Sequence, residues 1–457
     1  MALNDTICAL STPPGTGAIA MLRLSGPGSV AIALMLAPKL EGTLDARHAY
    51  FVELADDDGP VDEGVLTVFM GPHSYTGEDV VELSVHGSPY VQQRLLEAML
   101  MNGARMALPG EFTQRAFMNR KLDLSQAEAV ADLIASQSAA QHTLALNQLR
   151  GGFGLMIEEL RQQLIDFCAL IELELDFGEE DVQFAERVEL TALIDRLTDL
   201  CTELIDSFRY GNAVRQGIPV AIVGAPNSGK STLLNALLQE DRAIVSEIAG
   251  TTRDTVEEIM TIGGVLFRFI DTAGLRSTTD TVEKLGIERS YKKAAEASIV
   301  VLLGDASVLA EGALRTEANL LARRLKVAVP AGQPGPWILP VLNKSDVPGV
   351  KPAKDMLAIS ARGGKGLEVL KKAFITHVEQ LRQGPGDIVV TNARHVDALT
   401  KSRAALLDAK GAIDNGISGE LLAIDLRRAQ HHLGEITGRI TTDDLLGSIF
   451  GRFCIGK

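Results

Sequence analysis

The stretch IPVAIVGAPNSGKST, residues 218–232, constrains this chain more than any other. A short apolar run, Ile218 to Val223, reads as a buried strand; it breaks at Gly224 and resumes as a helix at Lys230. That strand–loop–helix context turns the pattern G-x-x-x-x-G-K-S into a phosphate-binding loop. Gly224 and Gly229 let the backbone curl until successive N–H groups point inward at phosphate oxygens. The helix adds the positive end of its dipole. Within Asn227, Ser228, Gly229, Lys230, Ser231 and Thr232, Lys230 supplies a point charge between the β- and γ-phosphates, and the Ser231 hydroxyl is placed as a Mg2+ ligand. Asn227 puts a side-chain carbonyl where a monovalent cation can bridge phosphates; it is equally readable as a plain turn residue.

Further motifs select the nucleotide. DTAG, residues 271–274, follows the apolar run VLFRFI, so Asp271 stands at a strand end from which it reaches Mg2+ through water. Thr272 and Ala273 lead to Gly274, whose N–H faces the γ-phosphate. NKSD, Asn343 and Lys344 through Asp346, follows WILPVL. Asp346 can accept both the N1–H and the exocyclic N–H of guanine, a paired contact that adenine does not offer. Ser360, Ala361 and Arg362, after MLAI, close over the base with backbone amides. GTTRD, 250–254, lies where a switch threonine reaches Mg2+. Five motifs in this order predict a GTP-binding domain. Where Ras-like proteins carry a water-positioning Gln, this chain has Leu275, so another group must orient the attacking water. Glu283, Arg276 and Arg253 are the candidates.

The chain has 457 residues, enough for about three domains, and a net charge of −15. An acidic protein meets RNA through a local basic site or a partner rather than a broad positive face. Cys8, Cys168, Cys201 and Cys454 lack metal-ligand spacing, which fits a reducing compartment; Cys168 and Cys201 read as core positions. The N-terminus has no basic leader region and no apolar run approaches 18 residues, so the expectation is a cytoplasmic protein with no membrane segment.

Residues 1–119 mix short strands (TICAL, GAIAMLRL, AYFVEL, VLTVFM, VVELSV) with helical PYVQQRLLEAMLMNG, a small α+β domain. Residues 120–216 turn helical: SQAEAVADLIASQSAAQHTLALNQL opens with a capping box Ser125–Glu128, and RGGFG interrupts before the next helix. Residues 217–382 alternate strands and helices as in a doubly wound Ras-like fold. Residues 383–457 are helical again and end in CIGK. The expectation is thus a multidomain α/β protein whose GTPase domain is inserted in a helical domain. His431 and His432 lie on a polar helix face that reads as solvated.

DTICALSTPPGTG, MLRLSGP, SYTGEDVVELSVHG, PGEFTQRAFMNRKLDLSQAEAVADLI, GAPNSGKSTLLNAL, AIVSEIAGTTRDT, DTAGLR and TTDDLLGSIFGRFCIGK span most of the chain. In these segments it resembles the MnmE (TrmE) family of bacterial tRNA-modification GTPases. SYTGEDVVEL and CIGK are far more specific than the nucleotide motifs. The resemblance implies GTPase domains that dimerise across their nucleotides with potassium. Asn227, Ser246, Ile248 and Thr251 then ligate K+, Ser231 and Thr252 ligate Mg2+, and Glu283 orients the water. Glu247, Ala249 and Gly250 complete the nucleotide-lining loop. The N-terminal domain is implied to form a homodimer and to bind a tetrahydrofolate one-carbon derivative through Arg23, Glu82, Lys121 and Lys457. A carboxylate facing the pterin N–H donors and cations facing its anionic tail would complement a folate. Lys457 joins them only if the tail folds back, across the dimer. The family works with the FAD-dependent partner MnmG in a heterotetramer, placing a carboxymethylaminomethyl or aminomethyl group at C5 of the wobble uridine of certain tRNAs.

Cys454 is either a catalytic thiol near that pocket or a packed terminal residue. Its spacing matches a prenylation box, against which the final Lys457 and the internal Gly456 argue. From the nucleotide motifs alone, a regulatory GTPase of ribosome assembly or stress fits as well; SYTGEDVVEL and CIGK favour the modification enzyme.

Overall fold

Alternating apolar residues build the N-terminal sheet of the computed structural model, which describes residues 5–40, 42–176, 187–240, 257–270, 294–309, 312–328, 335–349, 356–382, 388–416 and 419–457. Strands β1 (Ile7–Leu10), β2 (Ile19–Ser25), β3 (Ala49–Asp56), β4 (Gly59–Phe69), β5 (Val80–His86) and β6 (Arg105–Met106) form one sheet in the order β3-β4-β5-β2-β1-β6. Successive side chains point to opposite faces. Leu22, Leu24, Val81 and Leu83 pack with Ala33 and Leu36 of α1 (Ser29–Leu36) and with Leu95 and Met99 of α2 (Pro89–Met101). The other face carries Ile7 and Ala9 against Phe112 of α3 (Glu111–Met118). Arg23 and Glu82, directly paired across β2 and β5, share that second face. Arg115 of α3 is 1% exposed and is held by Asp5, Glu78 and Glu111, a buried charge made tolerable by its partners.

The helices that follow are cut by side-chain chemistry. The expected single helix over 125–149 is two, α4 (Leu124–Ala135) and α5 (Ala139–Leu149). Between them the Ser136 hydroxyl donates to the Leu133 carbonyl at 2.7 Å, and Gln141 Oε1 accepts from the Gln137 N–H at 2.8 Å. Such local bonds compete with helix continuation. The expected Ser125–Glu128 cap is also displaced. Asp123 Oδ1 accepts from the Gln126 N–H at 2.9 Å while Gln126 Oε1 accepts from the Asp123 N–H at 2.9 Å. The carboxylate is the stronger acceptor beside a helix N-terminus, so the reciprocal cap forms two residues earlier and Ser125 and Glu128 are buried inside the helix. Two long helices come next, α6 (Gly152–Asp176) and α7 (Arg187–Gln216). Cys168 and Cys201 are core thiols, and burial pushes both up to about 11.

A second sheet begins with β7 (Ile218–Val223), followed by α8 (Lys230–Glu240), β8 (Glu258–Ile262), β9 (Val265–Ile270), β10 (Ile299–Asp305), α9 (Ala313–Ala328), β11 (Trp337–Asn343), β12 (Leu357–Ala358) and α10 (Leu367–Leu381). Its order is β12-β11-β10-β7-β9-β8, parallel except for the β8–β9 pair. Both faces are covered, which is why these strands read as unbroken apolar runs. Ile299, Val301 and Leu303 face Leu233 and Leu237 of α8 and Phe374 of α10. Val300 and Leu302 face Leu314 and Leu321 of α9. This is the doubly wound arrangement expected from the motif order.

The chain closes with α11 (Ala393–Asp414), α12 (Gly419–Thr437) and α13 (Asp443–Phe450). Helix α12 packs along α6, and α13 is capped by the Thr442 hydroxyl, which accepts from the Leu445 N–H at 3.3 Å. Leu446, Phe450 and Phe453 pack on Leu124 and Ala127. The chain divides into two compact units, Met1–Ala131 with Gln148–Glu186 and Ala412–Lys457, and Asp132–Asn147 with Arg187–Gly411. Among the described residues no helix is long and apolar enough to cross a membrane.

Candidate functional site

The phosphate loop lies between the end of β7 and the first turn of α8. Gly229 has φ 96°, and a Cβ added there would meet Asn343 Nδ2 at 2.3 Å, so only glycine fits this turn. The Lys230 ammonium donates to the carbonyls of Gly224 at 2.8 Å and Ala225 at 2.9 Å, curling over the loop. Burial lowers its pKa, so the site makes the cation costly without an anionic partner. Ser228 Oγ is buried in the loop with no hydrogen-bond partner among the described residues. Ser231 and Thr232 stay exposed on the first turn of α8. An orphaned hydroxyl, a burdened lysine and a helix N-terminus fit a phosphate chain with its Mg2+. Asn227 is exposed with φ 60°, a left-handed conformation that asparagine tolerates better than most residues.

Asn343 joins the loop to the base side. At 2% exposed, it donates from Nδ2 to the Ser228 carbonyl at 2.8 Å and accepts at Oδ1 from the Ala361 N–H at 2.9 Å. This corrects the expectation for Ala361, whose amide is committed to Asn343 rather than to the base. Lys344, at φ 63°, sends its ammonium to Asp305 Oδ2 at 2.6 Å. Asp346 is exposed beside the loop; the Ser360 hydroxyl hydrogen-bonded to it holds its carboxyl below the usual range, with Arg362 adding a weaker pull. It therefore stands ionised, an acceptor-only group. Asp305 was not foreseen from sequence; its one signal is its place at the end of the apolar run IVVLLGD, level with Asn343 in the neighbouring strand.

Ser246, Glu247, Ile248, Ala249, Gly250, Thr251 and Thr252 lie outside the described residues, as do Asp271, Thr272, Ala273, Gly274 and Glu283. The alternative water-positioning candidates Arg253 and Arg276 lie outside them too.

In the N-terminal unit, Arg23 donates to Glu82 Oε1 twice, from Nε at 2.9 Å and Nη2 at 2.7 Å. Its guanidinium lies 5.5 Å from the Tyr75 ring centroid and 5.6 Å from that of Phe112. The tail joins this pair: the Gly456 carbonyl accepts from Arg23 Nη1 at 3.4 Å and from the Ser11 hydroxyl at 3.3 Å. Gly456 has φ 95°, and a Cβ there would meet the Leu10 carbonyl at 2.4 Å, so the close approach requires glycine. Lys457 is half-buried; burial first, then the neighbouring Arg23 charge, lowers its pKa, while Glu82 and Cys454 pull the other way. The tail thus folds back to the N-terminal sheet beside Arg23 and Glu82. Lys121 turns elsewhere, donating to the Pro72 carbonyl at 3.0 Å. Cys454 is an exposed free thiol.

A doubly wound sheet with this loop, an Asn343 tie and an ionised Asp346 defines a GTPase of the phosphate-loop class. Residues 6–121 match the family described as GTP-binding protein TrmE N-terminus, and residues 124–454 match the MnmE helical domain. The chain is 47% identical over 478 residues to a tRNA modification GTPase MnmE of Christiangramia forsetii, covering 100% of both. It is 47% identical over 471 residues to one of Porphyromonas gingivalis, covering 99% of this chain and 98% of that one. A solved G-domain of FeoB from Methanococcus jannaschii is 26% identical over 35% of this chain and 97% of that chain, with a TM-score of 0.25. The chain belongs to the MnmE (TrmE) family, the GTP hydrolases of tRNA modification.

Proposed function

We propose that this protein is a potassium-stimulated GTPase. Its hydrolytic cycle drives modification of the wobble-uridine C5 of certain tRNAs, adding a carboxymethylaminomethyl or aminomethyl group with a tetrahydrofolate one-carbon unit. On this reading it acts in the cytoplasm as a homodimer, in a heterotetramer with the FAD-dependent MnmG. The observation that carries the nucleotide half is Asn343, which ties the Ser228 carbonyl to the Ala361 amide and so fixes the phosphate loop at the end of β11, just before the turn that bears Asp346. The Lys230 cation neutralises charge between β- and γ-phosphates, and Ser231 holds Mg2+, which when bound stabilises charge developing on the phosphoryl oxygens. Purified protein should hydrolyse GTP and leave ATP untouched, and equal use of both would refute the reading.

Potassium binding rests on Asn227, whose exposed side chain borders the loop, together with Ser246, Ile248 and Thr251; Thr252 is proposed beside Ser231 on Mg2+. Replacing KCl by NaCl at equal ionic strength should lower turnover sharply, and Asn227→Ala should erase the difference. Equal rates of the parent in both salts would leave Asn227 a turn residue. Glu283 is proposed to orient the attacking water that Leu275 cannot. Glu283→Ala should lower turnover by roughly 10- to 1000-fold with nearly unchanged GTP affinity, the mark of an interaction made in the transition state. Weakened affinity with normal turnover would assign it a ground-state contact instead.

Folate binding is supported by Glu82, which spends only Oε1 on Arg23, and by Lys457 beside the same pair. Arg23 and Lys457 would face the anionic tail and Glu82 the pterin N–H groups, with Cys454 proposed as a thiol of the same pocket. Calorimetry with a formyl-tetrahydrofolate should detect binding that Glu82→Ala and deletion of residues 454–457 each weaken. Binding that survives both changes would place the folate elsewhere.

A further inference from the structure

Helix α12 carries a second cluster that the GTPase reading does not use. His431 and His432, read from sequence as a solvated face, both turn toward Glu435. His431 Nε2 lies 3.6 Å from Glu435 Oε1, and His432 Nδ1 lies 3.0 Å from Glu435 Oε2. Residues three and four apart on a helix are face neighbours, so one carboxylate can meet both rings without distorting the backbone. The ligand atoms of the three residues all lie within 4.8 Å of one another, the one group of three such side chains among the described residues.

We propose that His431, His432 and Glu435 form a binding site for a divalent transition cation of the Zn2+ class. Two imidazoles and a carboxylate suit Zn2+, Ni2+ or Co2+, whereas Mg2+ and Ca2+ prefer all-oxygen sets. With metal–nitrogen bonds of about 2.0 Å and a tetrahedral arrangement, neighbouring ligand atoms sit about 3.3 Å apart. The 3.0 and 3.6 Å separations run to the two oxygens of Glu435, and the three ligand atoms lie within 4.8 Å of one another, so the side chains must draw together, with the His432–Glu435 hydrogen bond given up, to ligate one ion. The remaining coordination positions open to water, since His431 is 52% and Glu435 34% exposed. That access gives a site that loads and unloads reversibly rather than a closed structural one.

The test is calorimetric titration of ZnCl2 into the full-length protein, in buffer with excess Mg2+. One saturable equivalent with a dissociation constant of about 10 μM or tighter is expected. The double variant His431→Ala/His432→Ala should weaken binding at least about 10-fold, and Glu435→Gln should weaken it as well. Cys454→Ser should bind as the parent does, which separates this site from the exposed thiol. Far-UV circular dichroism of each variant checks that α12 is intact; these side chains lie toward solvent, so folded variants are expected. Absence of saturable binding, parent-like binding by the double variant, or loss of binding in Cys454→Ser would each overturn the proposal.

Discussion

Replacing Asp346 with Asn is expected to lower GTP affinity by roughly 100-fold or more, while xanthosine triphosphate binding rises relative to the parent. The carboxylate is the acceptor for both guanine N–H donors, and its ionised form is favoured first by the Ser360 hydroxyl and then by its own backbone N–H, with Arg362 contributing least. An amide presents one acceptor and one donor, so it loses one guanine contact and sets an N–H against the other. Xanthine carries a carbonyl where guanine has its amino group, and the new donor meets it. Competition binding against a fluorescent GTP analogue, run with both nucleotides, reads the exchange directly. A variant that keeps parent-like GTP affinity would remove Asp346 from the base site.

Asn343→Ala should be comparably severe for a different reason. The side chain is 2% exposed and satisfies two backbone groups in separate loops, the Ser228 carbonyl and the Ala361 N–H. Each buried group left unpaired costs about 1–3 kcal/mol, and water entering to replace the amide would loosen the phosphate loop. GTP affinity is expected to fall roughly 30-fold or more, with a lowered melting temperature. Asn343→Asp should not rescue it, because a carboxylate facing the Ser228 carbonyl repels where Nδ2 donated. Equilibrium binding together with thermal unfolding separates the two consequences. An unchanged affinity in a destabilised protein would make Asn343 a folding residue only.

The nucleotide loop was legible because its chemistry dictates residue types within a few positions: strand β7, Gly229, Lys230 and the start of α8 fall where the motif requires. Strands β7, β9, β11 and β12 were legible for a related reason, since burial on both faces demands continuous apolar runs such as VLFRFI, whereas β8 and the run IVVLLGD of β10 were not picked out. Contacts between distant residues were not legible. Lys344 and Asp305 are 39 positions apart, Arg115 and Asp5 are 110, and Arg23 and Gly456 are 433. Nothing local announces such pairs; they exist only once sheets and helices have packed. The α4 cap failed for a subtler reason: Ser125–Glu128 and Asp123–Gln126 both satisfy the capping pattern, and the competition is decided by the charged acceptor. Helix α13 falls in the stretch read as helical, but its eight residues give too short a period to mark their own bounds, and its core role comes from Phe450 and Phe453 meeting Leu124 from far away in the chain.

The central claim joins GTP hydrolysis to tRNA wobble-uridine modification. Mass spectrometry of tRNA nucleosides from a strain lacking this gene, with and without the gene restored, tests it most directly. The account predicts loss of the C5 aminomethyl-type uridines in the deletion, recovery with the parent gene, and no recovery with Asp346→Asn. Unchanged wobble uridines in the deletion strain would contradict it.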